Sequence, residues 1–415
     1  MKNIEMQKQC KILYIDSSIG FGGSTVCLKN LVSHLDKNSY KPIITFIFKH
    51  ETNKLNDFFE CIDIKNSNFL SSKLVIKLIN YFDNKPRIKG MNIFPFFRLT
   101  LLILERFFSF LWIFLLIRRE NISILHLNNG FNASAYLACT VARIPCVVSL
   151  RSFSRCKRIF KIPKNDNLYF AAMSNSIKND FSSTYNFPHQ TIKVIYDGME
   201  LEKISNIKTK TKKENLRKRF SISPTEKIIG TVGRFFPWKR QDLLLKITRR
   251  LLDKNINLKC LLVGSAENNA ESRNWEKDLV KLIKSLDLEK TVISTGFIAS
   301  PMEVMQLLDV FVLPSIYEPF GMVILESMAL GIPVVAFNGG GPSEIITDKI
   351  DGVLVPSGNI DKMTEEVENL LVDKNLHNNI SLNAPLTIQS KFNLSTTVKE
   401  YSKLYKNILK RDSNE

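Results

Sequence analysis

Acidic residues are scarce in this chain of 415 residues: 40 Asp and Glu stand against 58 Lys and Arg, which gives a formal charge of +18. This imbalance favours polyanions, anionic lipid or phosphorylated small molecules as partners, and it does not choose among them. The composition, 44% hydrophobic and 24% charged, excludes a disordered or fibrous chain. The length predicts two or three domains.

Cysteines are few, and none of the patterns that bind zinc or form a redox pair is present. The seven cysteines are odd in number and scattered, with no C-x-x-C spacing. They indicate reduced core residues of a cytosolic protein. Residues 1–9 are polar and contain no apolar stretch of signal-peptide length, so we expect the protein not to be exported.

Long hydrophobic runs are also lacking. The best membrane candidate, 99–117, is interrupted by Glu105 and Arg106, and its uninterrupted part, 107–117, has 11 residues. That is about half of the roughly 20 residues that span a bilayer. Two interpretations stay open: a helix buried in a domain core, or a helix in the membrane interface. The second depends on flanking arginines and an aromatic face: Arg98, Arg118, Arg119, Phe107, Phe108, Phe110, Trp112 and Phe114.

Apolar segments of strand length alternate with helical patterns along the whole chain, which is typical of βαβ units and parallel sheets. The first half opens with a strand at 11–16, a glycine turn at 20–23 and a helix at 24–35. The second half begins with a strand at 228–233. Further strands are predicted at 43–48, 122–127, 146–150, 260–263, 292–295, 310–313 and 334–337, and further helices at 275–285, 322–330 and 360–371.

A polar stretch separates the two halves. Residues 208–219 carry seven basic residues and one acid, and we place a domain boundary near 195–205. The pattern predicts an α/β fold of two doubly wound, Rossmann-like domains, residues 1–195 and 205–390. Domains of this kind bind ligands in a cleft, where the carboxyl ends of their strands meet. The amphipathic segment 394–410 is expected to form a helix that packs back on the first domain.

The most informative stretch is residues 314–336, PSIYEPFGMVILESMALGIPVVA. Gly321 permits a close approach of the backbone, and a helix that begins at Met322 presents free amides to an anion such as a phosphate. Glu318 lies in the loop before this helix and Glu326 within it. Carboxylates near a phosphate site indicate sugar or ribose hydroxyls to be bound. The alternative is that they only complement the helix dipole.

Two cations follow the first strand of the second half. Arg234 comes directly after Gly233, and Lys239 lies five residues further on. A planar guanidinium and a mobile ammonium are a suitable pair for a diphosphate whose charge grows in the transition state. The alternative is a solvated basic surface without a ligand.

Several motifs in one order resemble a known family. They are Gly233-Arg234 with Lys239, Gly296-Phe297-Ile298, Glu318 and Glu326 around Pro-Phe-Gly, Gly331-x-Pro333, and Gly339-Gly-Gly-Pro-Ser-Glu344. Together they resemble the retaining glycosyltransferases of the GT-B fold, in the large group four family, over roughly residues 228–372. The first domain is similar through Gly22-Gly23 and the strand that ends near His126.

The resemblance implies roles for individual residues. Arg234 and Lys239 would hold the donor diphosphate, and Glu318 the hydroxyls of the donor sugar. Glu326 would hold the ribose, and Ile298 would contact the base through its backbone. The remaining donor contacts implied are backbone groups of Phe320, Gly321, Met322 and Val323, and the glycines Gly22 and Gly23 of the first domain.

The resemblance also implies partners. The donor would be a nucleotide-diphosphate-sugar, probed first as UDP- or GDP-linked, with no cofactor and no metal. The acceptor would be a growing glycan, lipid-linked, of the polysaccharide or lipopolysaccharide type. We expect a cytoplasmic protein, peripheral at the inner face of the cytoplasmic membrane and attracted to its anionic surface, that binds no nucleic acid.

The chain departs from the family pattern at two places. Arg240 stands where the family has Gly, a change that a surface position tolerates. Where many members carry a His after strand 146–150, this chain has Arg151, which cannot act as a base at neutral pH. Arg151 and the strand-end residue His126 are the candidate acceptor residues, although a lone His is commonly structural. A basic run follows Arg151: Arg155, Lys157, Arg158, Lys161 and Lys164.

Three alternative functions share features with this sequence. A GT-B-fold sugar-nucleotide epimerase shares the architecture and a similar nucleotide site. A dinucleotide-binding dehydrogenase is disfavoured because Thr25 replaces the third glycine of G-x-G-x-x-G. A nucleic-acid-binding protein fits the charge, but the sequence has no zinc-finger or RNA-binding motif. The glycosyltransferase is therefore the function expected from the sequence.

Overall fold

The structure is a computed structural model. It describes residues 9–17, 22–47, 58–59, 62–65, 94–154, 162–163, 166–202, 204, 207 and 213–412. Gly20 and the basic residues Arg155, Lys157, Arg158, Lys161 and Lys164 lie outside the described residues.

The chain divides into two compact units. The first contains residues 1–173, 177–195 and 398–415, and the second contains residues 174–176 and 196–397. The C-terminal helix Leu394–Asp412 therefore begins in the second unit and continues into the first. The predicted boundary near 195–205 lies next to the division between residues 195 and 196.

The first unit is built on a parallel sheet of seven strands in the order β3-β2-β1-β4-β5-β6-β7. Apolar side chains from both faces of the sheet form two clusters, as expected for a parallel sheet that is covered on both sides. The strands are β1 (Cys10–Asp16), β2 (Tyr40–Phe46), β3 (Asp63–Ile64), β4 (Ile124–Leu127), β5 (Cys146–Leu150), β6 (Leu168–Ala172) and β7 (Ile192–Val194).

The second unit has a parallel sheet of six strands in the order β10-β9-β8-β11-β12-β13. Its core lies between this sheet and helices such as Gln241–Asp253 and Ile360–Val372. The two parallel sheets confirm the predicted α/β class. The strands are β8 (Lys227–Val232), β9 (Leu258–Val263), β10 (Val292–Gly296), β11 (Val310–Leu313), β12 (Val334–Asn338) and β13 (Val353–Pro356).

Helices connect the strands in both units. Those described are Gly23–His34, Phe94–Glu120, Ala133–Ala142, Asn175–Tyr185, Lys213–Arg219, Gln241–Asp253, Ala270–Ser285, Pro301–Met305, Met322–Ala329, Pro342–Ile345, Ile360–Val372, Lys374–Lys391 and Leu394–Asp412. Short 3-10 turns lie at His189–Thr191 and Pro237–Lys239.

The helix Phe94–Glu120, called the long helix below, has 27 residues. Glu105 and Arg106 break the apolar run, as expected, but they do not end the helix, which is therefore longer than the segment 107–117. Within the described residues, 99–120 is a segment long and apolar enough to cross a membrane, judged by length and composition alone.

The C-terminal helix packs on the first sheet, in cluster with Tyr14 and Ile44, as the amphipathic pattern predicts. Tyr401, Tyr405 and Ile408 are its buried side chains. A chain of hydrogen bonds fixes this helix to strands β1, β4 and β5, and His126 lies at its centre.

Candidate functional site

The order in which strands are added to the second sheet reverses beside β8. The chain passes from β8 through β9 to β10 on one side and then returns to place β11 on the other side of β8. In doubly wound sheets, ligands bind at such a switch point, beyond the carboxyl ends of the strands. Arg234 and Lys239 follow β8, and Glu318 follows β11. The topology therefore brings the three predicted residues to one crevice.

Lys239 and Glu318 form an ion pair across this switch point. The Nζ atom of Lys239 donates a hydrogen bond to Oε2 of Glu318 at 2.6 Å. The two side chains are only 13% and 8% exposed, and the Nζ atom lies 4.2 Å from the centre of the Trp238 ring. A buried ammonium needs a counter-charge. An entering phosphate can take over that role and free the carboxylate for sugar hydroxyls.

Arg234 stands in a more open environment. Its guanidinium forms an ion pair with Glu267, which follows β9, and lies 5.6 Å from the centre of the Phe236 ring. The Arg234 side chain is 55% exposed. An exposed pair of this kind contributes about 0–1 kcal/mol, so a phosphate can displace Glu267 at little cost.

The backbone that carries Arg234 is fixed by buried polar side chains. Gln241 donates from Nε2 to the carbonyl of Arg234 at 3.1 Å, and Trp275 donates from Nε1 to Gln241 at 2.8 Å. Ser272 donates to the carbonyl of Phe235 and accepts from the amide of Glu267. Nothing in the spacing of Gln241, Ser272 and Trp275 in the sequence marks them as supports of the site.

The helix Met322–Ala329 begins at Gly321, whose φ of +108° belongs to the left-handed region. A side chain there would also lie 2.9 Å from Cδ1 of Ile324. The first amides of the helix have no intrahelical acceptor and are available to an anion. Met322 and Val323 are half-buried beside them.

The side chain of Phe320 points into the protein. It is fully buried and stacks on Tyr196, with ring centres 5.8 Å apart. Only its backbone is available to a ligand, which is the role the resemblance implies. Gly341, from the glycine-rich segment after β12, donates its amide to the carbonyl of Glu318 at 2.9 Å and so supports the same loop.

Glu326 carries a carboxylate oxygen without a partner. Its Oε2 atom is inaccessible to water and has no hydrogen-bond partner among the described residues. Burial raises the pKa of this carboxyl to about 7. An unsatisfied buried acceptor is costly, so we infer that a hydroxyl donor is its natural partner. The hydroxyl of Ser315, just after β11, is also buried and without a partner among the described residues, which no feature of the sequence indicates.

Ile298 lies two residues beyond β10 and is half-buried. The neighbouring Phe297 is 77% exposed, at the same carboxyl edge of the sheet. An exposed aromatic ring there offers a flat apolar surface to a nucleobase. The sequence identifies Phe297 only as the middle residue of the motif Gly296-Phe297-Ile298 and does not indicate that its ring is exposed.

The backbone conformation of Arg240 accounts for the glycine that the resembled family has at this position. Its φ is +52°, a conformation that glycine adopts at no cost. The Nε atom of Arg240 donates to Asp242 at 2.9 Å, and this bond raises the pKa of the arginine. The side chain is 30% exposed, so the expected surface position is corrected to a half-buried one.

In the first unit, Gly22 is the N-cap of the helix Gly23–His34, which follows β1 in the chain. A side chain at Gly22 or Gly23 would meet nothing within 4 Å. Arg151 is buried at the end of β5 and donates from Nε to Asn128 at 3.1 Å. Asn128 in turn donates to Asp16 at 3.3 Å. These residues lie where β1 and β4 form the switch point of the first sheet.

His126 is placed differently from the expectation that it faces a cleft. It is fully buried, and its Nδ1 and Nε2 atoms lie 2.7 Å from the Tyr405 and Ser149 hydroxyls. Burial, reinforced by Arg151, lowers its pKa to about 3, so the ring is neutral. The structure therefore gives it a packing role, because both nitrogens are engaged within the protein.

Comparison with known proteins agrees with this geometry. Residues 212–387 match the family described as Glycosyl transferases group 1. The chain is 26% identical to N-acetyl-alpha-D-glucosaminyl L-malate synthase of Bacillus anthracis, over 72% of this chain and 78% of the relative. It is 28% identical to poly(ribitol-phosphate) alpha-N-acetylglucosaminyltransferase of Staphylococcus aureus, over 51% and 41%.

The fold also matches a solved structure. Anabaena Alr3699/HepE in complex with UDP and glucose superposes with a TM-score of 0.74 at 20% identity, covering 96% of this chain and all of the other. The fold is thus GT-B, an α/β fold of glycosyltransferases. The match to the glycosyl transferases group 1 family covers residues 212–387, which lie in the second unit.

Proposed function

We propose that this enzyme transfers a sugar from a nucleotide-diphosphate-sugar to a growing, lipid-linked cell-surface glycan, with retention of the anomeric configuration. The observation that carries the proposal is the pair of Lys239 and Glu318 across the switch point of the second sheet. It places a cation for phosphate and an acceptor for sugar hydroxyls within 2.6 Å of each other. The unpartnered carboxylate of Glu326 then supplies an acceptor for ribose.

The donor is proposed to be UDP-linked first and GDP-linked second. UDP and glucose are bound by the Anabaena neighbour, and the same fold here presents two cations and a helix N-terminus at the corresponding kind of crevice. These groups supply positive charge to a diphosphate without a cofactor or metal. Metal independence stays a proposal, although the described residues hold no cluster of three or more metal-ligating side chains.

The transfer step requires only the donor and the acceptor hydroxyl as reactants. The bond between the anomeric carbon and the diphosphate oxygen breaks, and the acceptor hydroxyl oxygen bonds to that carbon on the same face. The proton of that hydroxyl passes to the departing phosphate oxygen. Lys239, Arg234 and the helix amides stabilise the charge that develops on the diphosphate.

The names of this chain's relatives support a cell-surface glycan as the acceptor. The Staphylococcus aureus relative acts, by its name, on poly(ribitol-phosphate), a polymer with a phosphate in each unit. A charge of +18 suits an acceptor of that kind. We assign acceptor binding to the first unit, with the buried Arg151 at its switch point as the residue to test.

The test uses purified protein and a panel of nucleotide-sugars. The true donor is expected to raise the thermal midpoint, because it binds only the native state. Transfer to a lipid-linked acceptor, followed by NMR of the product, then reports the anomer. Loss of activity in chelator with recovery in Mg²⁺ or Mn²⁺, or an inverted anomer, would contradict the mechanism. Conversion of the donor into its epimer without an acceptor would indicate the epimerase instead.

The pH dependence of donor binding tests the role of Glu326. Its pKa of about 7 in the folded protein lies above the ordinary value of 4.5, so its contribution to stability is complete below about pH 4.5 and is lost as the pH rises through 7. The ribose hydroxyls bind the ionised form, so donor affinity should rise through the same range. Calorimetry of UDP binding between about pH 5.5 and 8.5 measures this.

Glu326→Gln is the matched variant for that experiment. We expect about tenfold weaker donor binding with a smaller change in kcat, because the residue contacts a distant part of the donor. The pH trend in affinity should disappear with the carboxylate. Unchanged affinity and an unchanged pH profile would show that ribose binds elsewhere.

A further inference from the structure

The long helix leaves an apolar stripe uncovered. Leu99, Ile103, Phe107, Leu111 and Leu115 recur every four residues and are between 36% and 57% exposed. This spacing places them along one face of the helix. The stripe extends about 24 Å at 1.5 Å per residue. Uncovered apolar surface of this extent usually marks an interaction site.

Near its C-terminal end, the opposite face of the long helix belongs to the core. Ile113, Leu116 and Ile117 are buried in the cluster that contains β1, β4 and β5. Of the aromatic residues expected on the outer face, Phe110, Trp112 and Phe114 instead pack against this cluster, and Phe107 is exposed. Because Ile113, Leu116 and Ile117 are held in this core, the outer stripe is open to a partner that approaches from the side.

A second helix widens the apolar surface. The helix Ala133–Ala142 packs on the long helix, and Ser134 donates a hydrogen bond to the carbonyl of Arg106 at 3.0 Å. Each of the two helices connects parallel strands of the first sheet, so both run antiparallel to the strands and parallel to each other. Leu137 and Val141, also about half exposed, are thereby brought alongside the C-terminal half of the stripe.

Arginines stand at one end of this surface. Arg118 and Arg119 are exposed at the end of the long helix, and Arg143 is exposed directly after the helix Ala133–Ala142. Arg118 also lies three residues beyond Leu115 and seven beyond Leu111, on the same face as the stripe. No acidic side chain among the described residues of the stripe offsets the charge of these arginines. Glu105 does not belong to the stripe, because it lies outside its four-residue spacing.

From these observations we propose that the stripe and its arginines form a docking surface for an anionic phospholipid bilayer. Apolar side chains enter the boundary between headgroups and acyl chains, and the arginines bind lipid phosphates. The enzyme then lies on the membrane at its cytoplasmic face, without crossing it. A second copy of the chain is the less favoured partner, because two molecules of charge +18 repel each other.

The proposal deepens the proposed function, on which its meaning for catalysis rests. The helix Ala133–Ala142 begins at the carboxyl edge of the first sheet, just after β4 and its cap Asn132. Arg106 lies at this edge, so residues 94–105 extend about 18 Å beyond it. Ligands of doubly wound sheets bind at that same edge. A lipid-linked acceptor could therefore reach the first unit while its lipid stays in the bilayer.

Sedimentation with vesicles tests the proposal. The triple variant Ile103→Ser, Phe107→Ser, Leu111→Ser removes the centre of the stripe, and Val280→Ser, Leu382→Ser, Leu386→Ser removes three exposed apolar residues of the second unit as a control. On vesicles rich in phosphatidylglycerol, the first variant should lose about tenfold or more in partitioning and the control should bind like the wild type.

A second set of variants tests the role of the arginines in vesicle binding. Arg118→Ser with Arg119→Ser should weaken binding to anionic vesicles and leave the weak binding to phosphatidylcholine unchanged, while Lys281→Ser with Lys284→Ser serves as the control. High salt should reproduce the arginine variant. Equal losses in variant and control would overturn the proposal. So would a wild-type protein that stays in the supernatant at low salt, or a dimer in ultracentrifugation that the stripe variant dissociates.

A separate readout keeps this proposal distinct from the enzymatic one. The rise in thermal midpoint with the donor nucleotide-sugar reports the second unit, which the stripe variant leaves intact. If the donor still stabilises every variant and vesicle binding fails, only the docking surface is wrong. If vesicle binding holds and no nucleotide-sugar stabilises the protein, the docking surface stands and the transferase donor assignment falls.

Discussion

Replacing Lys239 with alanine is expected to lower kcat by about 10²–10³-fold, because the variant loses a preorganised cation aimed at charge that develops on the leaving diphosphate. The ammonium is held in place by Glu318 at 2.6 Å and by the Trp238 ring at 4.2 Å, so it needs little reorganisation when the donor binds. Initial rates at saturating donor and acceptor measure the effect.

The control for this variant is Lys246→Ala, which removes an exposed lysine from the helix Gln241–Asp253. Removal of Lys239 alone leaves the buried Glu318 without its counter-charge and lowers stability as well. The double variant Lys239→Met, Glu318→Gln avoids this loss and should still show the fall in kcat. If either form of the Lys239 variant turns over within threefold of wild type, the switch point is not the site of transfer.

The strands were the most predictable part of the fold. The bounds of β5 and β11 match the prediction, because both are short, mostly apolar runs followed by polar residues or proline. The long helix was less predictable. Pro95 fits the first turn of a helix, and no further proline or glycine interrupts the segment up to Glu120. Hydrophobicity alone therefore placed the start of the helix too late, since a charged pair does not stop helix propagation.

The site was predictable where a motif carried it and hidden where it depended on tertiary contacts. Arg234, Lys239 and Glu318 follow strand ends, so their meeting at one edge follows from the topology of parallel sheets. Gln241, which supports the backbone of Arg234 from the start of a helix, has no such signal. The burial of His126 depends on hydrogen bonding with Tyr405, 279 residues away, which no local pattern shows.

The second large effect is expected for Gly341→Ala. A side-chain carbon at this position would lie 2.1 Å from both the Cα and the carbonyl oxygen of Phe320. Backbone atoms cannot turn aside as a flexible side chain does, so the loop from Glu318 to Gly321 must shift. Because the amide of Gly341 also donates to the carbonyl of Glu318, this shift displaces the group assigned to the donor sugar.

A displacement near 1 Å costs about 10²-fold in kcat/KM when it affects a positioned reacting group. We expect that loss for Gly341→Ala, together with a weaker rise in thermal midpoint on addition of the donor. Gly339→Ala is the matched control in the same segment, since a side chain there meets nothing within 4 Å and the backbone has no positive φ. Equal kinetics for the two variants would mean that the close approach of Gly341 to Phe320 does not set the geometry of the donor loop.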